Sequence, residues 1–248
     1  MAQPRVARLV RTERLGPEAR LLTFTLAEGE IGFSGGQYII VNTGIELPGG
    51  KVAKRAYSIL SGDTDQREFQ IAVRRIGEGP GSNFMHRIEV GAELPFSGPW
   101  GKFVSNGGAA GPRLVFATDT GITAALGLLR GSRSRALADA TTAVWFVESD
   151  DYFLPPSFAR NSVAGLCQNF GVAAAPQAGD ATRVSRALTE LDRSLESRLP
   201  ANAFLAGDGA VIYPMRERLV AAGMQKENIH LEAFFNNPER RAPSSDGG

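Results

Sequence analysis

The tetrapeptide Arg55-Ala56-Tyr57-Ser58 carries three side chains that can act on one cofactor. On a strand, Arg55 and Tyr57 project to one face and Ser58 to the other. A fixed guanidinium pairs bidentately with a phosphate, a tyrosine packs on a ring, and a hydroxyl hydrogen-bonds a ring nitrogen. An amphipathic edge strand has the same composition, so the tetrapeptide needs company. Gly79-Pro80-Gly81-Ser82 supplies it, because glycines let backbone approach an anion and the first N–H groups of a helix bind phosphate. A turn followed by a serine N-cap reads the same way. Gly98-Pro99-Trp100-Gly101-Lys102-Phe103 is a tight bend after a strand, which also serves as a plain barrel corner.

These residues need elements to hold them. Val6 to Thr12, Arg20 to Leu26, Gln37 to Val41, Arg55 to Leu60 and Glu68 to Arg74 have β-branched or aromatic residues near period two. Gly and Pro clusters separate them, a rhythm that predicts an antiparallel barrel over residues 1–106. A short helix is expected from Ser82, with Phe84, Met85 and Ile88 on its apolar side. After a small-residue linker at 107–112 the pattern changes. Apolar strands at Leu114–Ala117, Ala143–Val147, Ala203–Ala206 and Ile229–Phe234 alternate with helices at Ile122–Arg130, Arg183–Leu195 and Ile212–Ala222. That alternation predicts an α/β parallel-sheet nucleotide-binding domain over residues 112–236. Residues 237–248 are polar and aperiodic, and read as a disordered tail.

In order and spacing, the three barrel motifs resemble those of the ferredoxin–NADP reductase superfamily, and the resemblance extends over nearly the whole chain. It implies a flavin reductase without a fused ferredoxin domain, carrying FAD and using NADH or NADPH. By that resemblance Arg55 holds the flavin pyrophosphate, with Ala56 beside it, while Tyr57 packs on the isoalloxazine and Ser58 bonds near flavin N5. Gly81 and the backbone and hydroxyl of Ser82 cap the pyrophosphate. Ala117-Thr118-Asp119-Thr120-Gly121-Ile122-Thr123 lies where a strand meets a helix, a phosphate site in parallel sheets. It resembles the family's Gly-Thr-Gly-Ile-Thr-Pro loop, so Thr118, Thr120, Gly121 and Thr123 are expected to receive the dinucleotide. Asp119 stands where the family has Gly, and Ala124 where it has Pro. Ala206-Gly207-Asp208-Gly209 resembles the Cys-Gly-Pro turn beside the nicotinamide without its thiol, giving Gly207 and Asp208 as cofactor residues. Phe235, with Phe234 next, is the candidate aromatic over the flavin face. With Ser58 it forms the catalytic pair. Glu148-Ser149-Asp150-Asp151-Tyr152 follows the second strand of this domain; acids there accept from a ribose and repel a 2′-phosphate, favouring NADH. A solvated acidic loop has the same look, and Arg160 or Arg183 can reach a phosphate.

Composition narrows the alternatives. The 248 residues hold 27 Lys plus Arg against 26 Asp plus Glu, so no overall field favours nucleic acid. Cys167 is the sole cysteine, which excludes an intrachain disulfide and a cluster bound by this chain's own thiolates. Electrons must therefore leave to a separate acceptor: a ferredoxin, a flavodoxin, an oxygenase component or a free acceptor. His86 and His230, far apart in sequence, are expected to be structural, and no metal site is expected. The N-terminus has no signal-like apolar stretch and no run approaches the roughly 18 residues of a membrane span. A cytoplasmic location is the expectation. A reductase of free flavin, and a regulatory subunit with a degenerate nicotinamide site, remain open alternatives. Asp119, Ala124 and Ala206 motivate the second.

Overall fold

The computed structural model describes residues 5–77, 79–106, 111–149, 152–195 and 198–240. Two sheets organise them. The first contains β1 (Arg5–Gly16), β2 (Ala19–Leu26), β3 (Tyr38–Leu47), β4 (Lys51–Ser58), β5 (Glu68–Arg74) and β6 (Glu93–Trp100). Their order is β4-β3-β6-β1-β2-β5, and every pairing is antiparallel. Period-two spacing drives the same residues inward: Leu22, Phe24 and Leu26 from β2, Ile39 and Val41 from β3, Phe69, Ile71 and Val73 from β5. Phe24 stacks on Phe69 with centroids 5.5 Å apart. Each such side chain, once buried, contributes about 1.5–3 kcal/mol of transfer free energy.

Helix α1 (Pro80–Arg87) closes one end of this barrel and buries Met85 in its core. It begins two residues before the serine cap predicted from sequence. Pro80 occupies the first helical turn, where its missing N–H is no loss, and Gly79 takes the N-cap. Ser82 therefore sits inside the first turn. β6, implied only as the strand before the bend at Gly98, contains Pro95 and Pro99, residues usually confined to sheet edges. It nevertheless lies between β3 and β1.

The second sheet is parallel, ordered β11-β10-β7-β8-β9. It comprises β7 (Arg113–Thr118), β8 (Thr141–Val147), β9 (Asn169–Ala174), β10 (Asn202–Asp208) and β11 (Ile229–Phe235). Alternate residues feed opposite faces. Val115, Ala117, Ala143, Trp145 and Val147 pack with α2 (Ile122–Arg130) and α4 (Pro156–Ser162). Leu114, Phe116, Val144, Phe146 and Leu205 pack with α5 (Arg183–Ser194) and α6 (Gly209–Ala221). β9 and α4 go beyond the sequence reading; β9 has a glycine at its centre and no buried position, so no apolar period marks it. Helix α6 starts at Gly209 rather than Ile212, because the Asp208 carboxylate accepts the Ala210 N–H at 2.9 Å and caps it.

One expectation is corrected at the C-terminus. Pro238–Arg240, inside the stretch read as a disordered tail, form a short 3₁₀ turn. The Tyr213 hydroxyl donates to Asn237 Oδ1 at 3.0 Å, and Arg216 pairs with Glu239 at 3.2 Å. Residues 241–248 and linker residues 107–110 lie outside the described residues.

The two sheets meet through backbone. A methyl carbon placed on Gly127 of α2 would lie 2.1 Å from the Ile59 carbonyl oxygen, and one on Gly35 would lie 2.4 Å from the Gly127 carbonyl oxygen. Asp63 bridges the same seam. Its carboxylate accepts the Gly35 N–H at 2.9 Å and the Ser132 N–H at 2.7 Å, the latter opening α3 (Ser132–Arg135). Beside this seam, Phe103 of the barrel meets Phe204 of β10 edge-on at 5.6 Å.

Candidate functional site

On the barrel, the Arg55 side chain lies against the first turn of α1. A methyl carbon on Gly81 would come within 2.5 Å of Arg55 Cγ, so only glycine admits the arginine stem there. The exposed guanidinium donates to the Lys54 carbonyl at 2.8 Å and has no carboxylate partner among the described residues. Next to it, the first turn of the helix leaves the Gly81 and Ser82 N–H groups without helical acceptors. The Ser82 hydroxyl, by contrast, is spent internally: it donates to the Gly79 carbonyl at 3.1 Å and accepts the Ile76 N–H at 3.2 Å. Phe84 and Ile88 line an open cavity of about 420 Å³ with Ile45, Pro80, Asn83 and Arg87. Both project from roughly the same side of α1 as Gly81.

The neighbouring positions of β4 differ in character. Tyr57 is half-buried; burial pushes its hydroxyl up to about 12, with the Arg55 charge pulling the other way, so the ring stays neutral. Ala56 is exposed between them. Ser58 is buried and pairs in register with Tyr38, yet its hydroxyl makes no hydrogen bond among the described residues. This set of a free cation, free amides, a neutral ring and an uncommitted hydroxyl fits a flavin with its pyrophosphate.

The second cluster lies at the C-terminal edge of the parallel sheet. Gly121 and Gly207 allow its strand ends to interlock. A methyl carbon on Gly121 would sit 2.4 Å from the Ala206 carbonyl oxygen, and one on Gly207 would sit 2.3 Å from that of Thr118. Thr118 is fully buried and its hydroxyl oxygen accepts the Asp208 N–H at 2.7 Å, tying β7 to β10. Thr123 donates to the Thr120 carbonyl at 2.9 Å and sets the turn into α2. Asp208 caps α6 and accepts from Asn236 Nδ2 at 3.0 Å. Thr118, Thr123 and Asp208 thus shape the crevice through bonds within the protein. Phe234 and Phe235 are exposed at the end of β11, and Phe235 pairs in register with Asp208.

Asp119 occupies this crevice in an unusual way. Its backbone has φ +50°, one of two positive-φ non-glycine residues among those described; the other is Asn236 at the adjoining strand end. Both oxygens of its carboxylate accept from Nη2 of Arg183, at 2.6 and 2.8 Å. Arg183 is 3% exposed, and two further carboxylates approach it: Glu148 at 3.6 Å and Asp208 at 4.0 Å. Its Nη1 also donates to the Pro176 carbonyl, and its guanidinium stands 5.7 Å from the Phe146 ring centroid. Burial pushes the Asp119 carboxyl above its ordinary range, and Arg183 only partly offsets this. The acidic stretch after β8 therefore does more than solvate, because Glu148 belongs to the cluster. Asp150 and Asp151 lie outside the described residues.

Both sites face one seam. Tyr38, the register partner of Ser58, lies 3.1 Å from where a methyl on Gly101 would stand, and Glu232 of β11 lies 3.4 Å from that point. The strand that ends in Phe235 thus passes the barrel at Gly101, next to Tyr38. His86 Nε2 lies 3.1 Å from the Val73 carbonyl oxygen, and the His230 ring stacks on Phe204 with centroids 4.5 Å apart. Cys167 is half-buried against the hydrophobic core. No group of potential metal ligands occurs among the described residues.

A six-stranded antiparallel domain with a cationic flavin-type cradle, followed by a five-stranded parallel domain, is the ferredoxin–NADP reductase-like architecture. Residues 6–104 match the oxidoreductase FAD-binding domain family. A ferredoxin–NADP reductase B of Sorangium cellulosum is 42% identical over 147 residues, covering 59% of this chain and 58% of that protein. A reductase component of the naphthalene 1,2-dioxygenase/salicylate 5-hydroxylase systems of a Ralstonia species is 26% identical over 222 residues, covering 88% and 65%. The chain thus spans about three-fifths of the length of these two relatives. Among solved structures, a Neisseria gonorrhoeae ferredoxin NADP+ reductase with bound FAD and NADP aligns with TM-score 0.74 at 17% identity, covering 95% of this chain and all of that one. Residues 6–104 thus resemble an oxidoreductase FAD-binding domain, and the chain as a whole has the two-domain fold of ferredoxin–NADP reductase-like proteins.

Proposed function

We propose that this chain is a reductase that takes hydride from NADH and passes electrons to a separate acceptor protein. The observation that carries it is Arg55: a guanidinium with no acidic partner among the described residues, seated on the glycine of a helix turn whose amides are free. Bound FAD supplies a carrier that accepts a hydride and releases electrons onward. The chain's own residues bind and orient. Arg55 forms charge-assisted bonds to the pyrophosphate, and the Gly81 and Ser82 N–H groups meet it from the other side. Tyr57 packs on the ring system, and Ser58, with its hydroxyl uncommitted, hydrogen-bonds the flavin edge. Phe235 covers the opposite face from the end of β11, excluding water until nicotinamide displaces it. Thr120 and Gly121 line the dinucleotide crevice, whose shape Thr118, Thr123, Gly207 and Asp208 maintain.

Donor choice follows from charge. Asp119, Glu148 and Asp208 outnumber Arg183, which disfavours a donor carrying an extra 2′-phosphate. The acceptor class is an oxygenase component or small iron–sulfur protein, as the names of the relatives indicate for those proteins. One observation favours a second reading, a regulatory flavin-binding subunit: the crevice cation is already held by Asp119. Anaerobic titration with NADH and then NADPH, followed by flavin absorbance, separates them. Bleaching by NADH at lower concentration supports the reductase. A flavin band that neither nucleotide bleaches supports the regulatory subunit, and no band after adding FAD sinks both.

A further inference from the structure

The nucleotide crevice holds a cation that is buried and incompletely bonded. Arg183 Nε is the only side-chain nitrogen or oxygen wholly shut off from solvent and without a hydrogen-bond partner among the described residues. Its other nitrogens are turned to protein acceptors, chiefly Asp119. The carboxylates around it come from three strand ends: Asp119 after β7, Glu148 after β8 and Asp208 at the end of β10. Those ends form the edge where a parallel α/β sheet receives phosphates. Of the three, two have other duties. Asp208 caps α6 and holds Asn236, while Glu148 accepts the Ala178 N–H at 2.7 Å. The Asp119 side chain bonds to Arg183 alone.

We infer that Asp119 is a built-in competitor of the dinucleotide phosphates for Arg183, and so a specificity- and affinity-setting residue of the crevice. The inference rests on the nucleotide reading above. A carboxylate that accepts two bonds from one guanidinium nitrogen occupies the place a phosphate oxygen would take, since both are anionic acceptors for the same fork of donors. Nucleotide binding then proceeds by exchange: Asp119 leaves Arg183 as a phosphate oxygen arrives. Free energy spent on breaking the internal pair is subtracted from nucleotide affinity. The positive φ is no obstacle to testing this, because Asn adopts that conformation as readily as Asp.

The test measures NAD+ binding to the FAD-loaded protein by calorimetry, a probe that leaves oxidised flavin unreduced. Asp119→Asn removes the anion while keeping shape and backbone, and Glu148 and Asp208 still offset the Arg183 charge. Breaking a charge-assisted competitor predicts roughly tenfold tighter binding. In Arg183→Gln the same Asp119→Asn change is expected to bring no gain, since the contested cation is gone. Thermal melting verifies that each variant is folded, and Asp119→Gly, tolerant of the same φ, serves if Asp119→Asn is not. Unchanged or weaker binding in a folded Asp119 variant overturns the inference, as does an equal gain in the Arg183→Gln background. Absence of NAD+ and NADP+ binding from every form, wild type included, overturns the nucleotide reading and this inference with it.

Discussion

Substituting alanine for Gly127 should weaken the protein, although the same change in an ordinary helix strengthens it. Gly127 lies inside α2, where alanine is favoured over glycine by about 1 kcal/mol. Here the added carbon would stand 2.1 Å from the Ile59 carbonyl oxygen and 3.3 Å from the Gly36 nitrogen. Ordinary contact begins near 3.4 Å, so helix and barrel must separate by roughly 1 Å. Neither obstructing group is a side chain that can turn aside, which places the penalty at the upper end of the about 1–3 kcal/mol seen for overpacking. The net loss is then about 1–2 kcal/mol, lowering the melting temperature by about 2–4 °C per kcal/mol for a chain of this size. Because the same shift moves the candidate nucleotide crevice relative to the candidate flavin site, the proposed hydride transfer should slow by up to about a hundredfold. Circular-dichroism melting and stopped-flow bleaching by NADH measure the two effects. Gly171→Ala, on β9 with nothing within 4 Å, serves as the control and should leave both nearly unchanged. A Gly127→Ala variant that melts higher than wild type would refute the account of the seam.

Arg55→Ala should weaken FAD binding by roughly tenfold to a hundredfold, the worth of its charge-assisted bonds, with little change in the melting of the flavin-free protein. Full flavin occupancy after gel filtration would remove Arg55 from the pyrophosphate site. Asp63→Ala should cost about 1–3 kcal/mol by orphaning the Gly35 and Ser132 N–H groups, and Asp63→Asn should cost less. An unchanged urea midpoint would mean the bridge contributes nothing. Burial holds the His230 and His86 imidazoles below their ordinary 6.5, so the unfolded chain takes up these protons first as pH falls. Their contribution is complete above pH 6.5 and is lost below it, as pH falls through the folded-state values. His230→Phe, which keeps the stack on Phe204, should reduce that acid loss; an identical stability profile just below pH 6.5 would count against the assignment.

The candidate barrel site could be grouped from sequence because its parts are contiguous. Arg55, Tyr57 and Ser58 occupy one strand, and period two alone sorts their faces. Gly81 was legible for the same reason, although the arginine stem that makes glycine necessary was not. The Ser82 hydroxyl misled, since a serine after Gly-Pro-Gly looks like a cap, whereas the helix already starts at Pro80, two residues ahead of it. Less local features left no signal. Asp119 stood out only as an acid in a phosphate loop; its partner is 64 residues away, and the remaining carboxylates arrive from other strand ends. Asp63 joins two backbone amides 28 residues before it and 69 after it, and no spacing rule connects them.

The glycine seam also bears on how freely proteins of this two-domain fold exchange parts. Apart from Asp63 and the Phe103–Phe204 pair, backbone rests on backbone, so few side chains must match across the boundary and each half tolerates sequence drift on its outer faces. Its tolerance for added volume is nearly nil: the contacts at Gly35, Gly62, Gly127 and Gly131 each leave less than a methyl group of room. A chimera joining this barrel to another α/β half should assemble when those bare positions and the Asp63 bridge recur, even where the outer faces are unlike. It should lose stability when a single one is filled, as Gly127→Ala should in the parent chain.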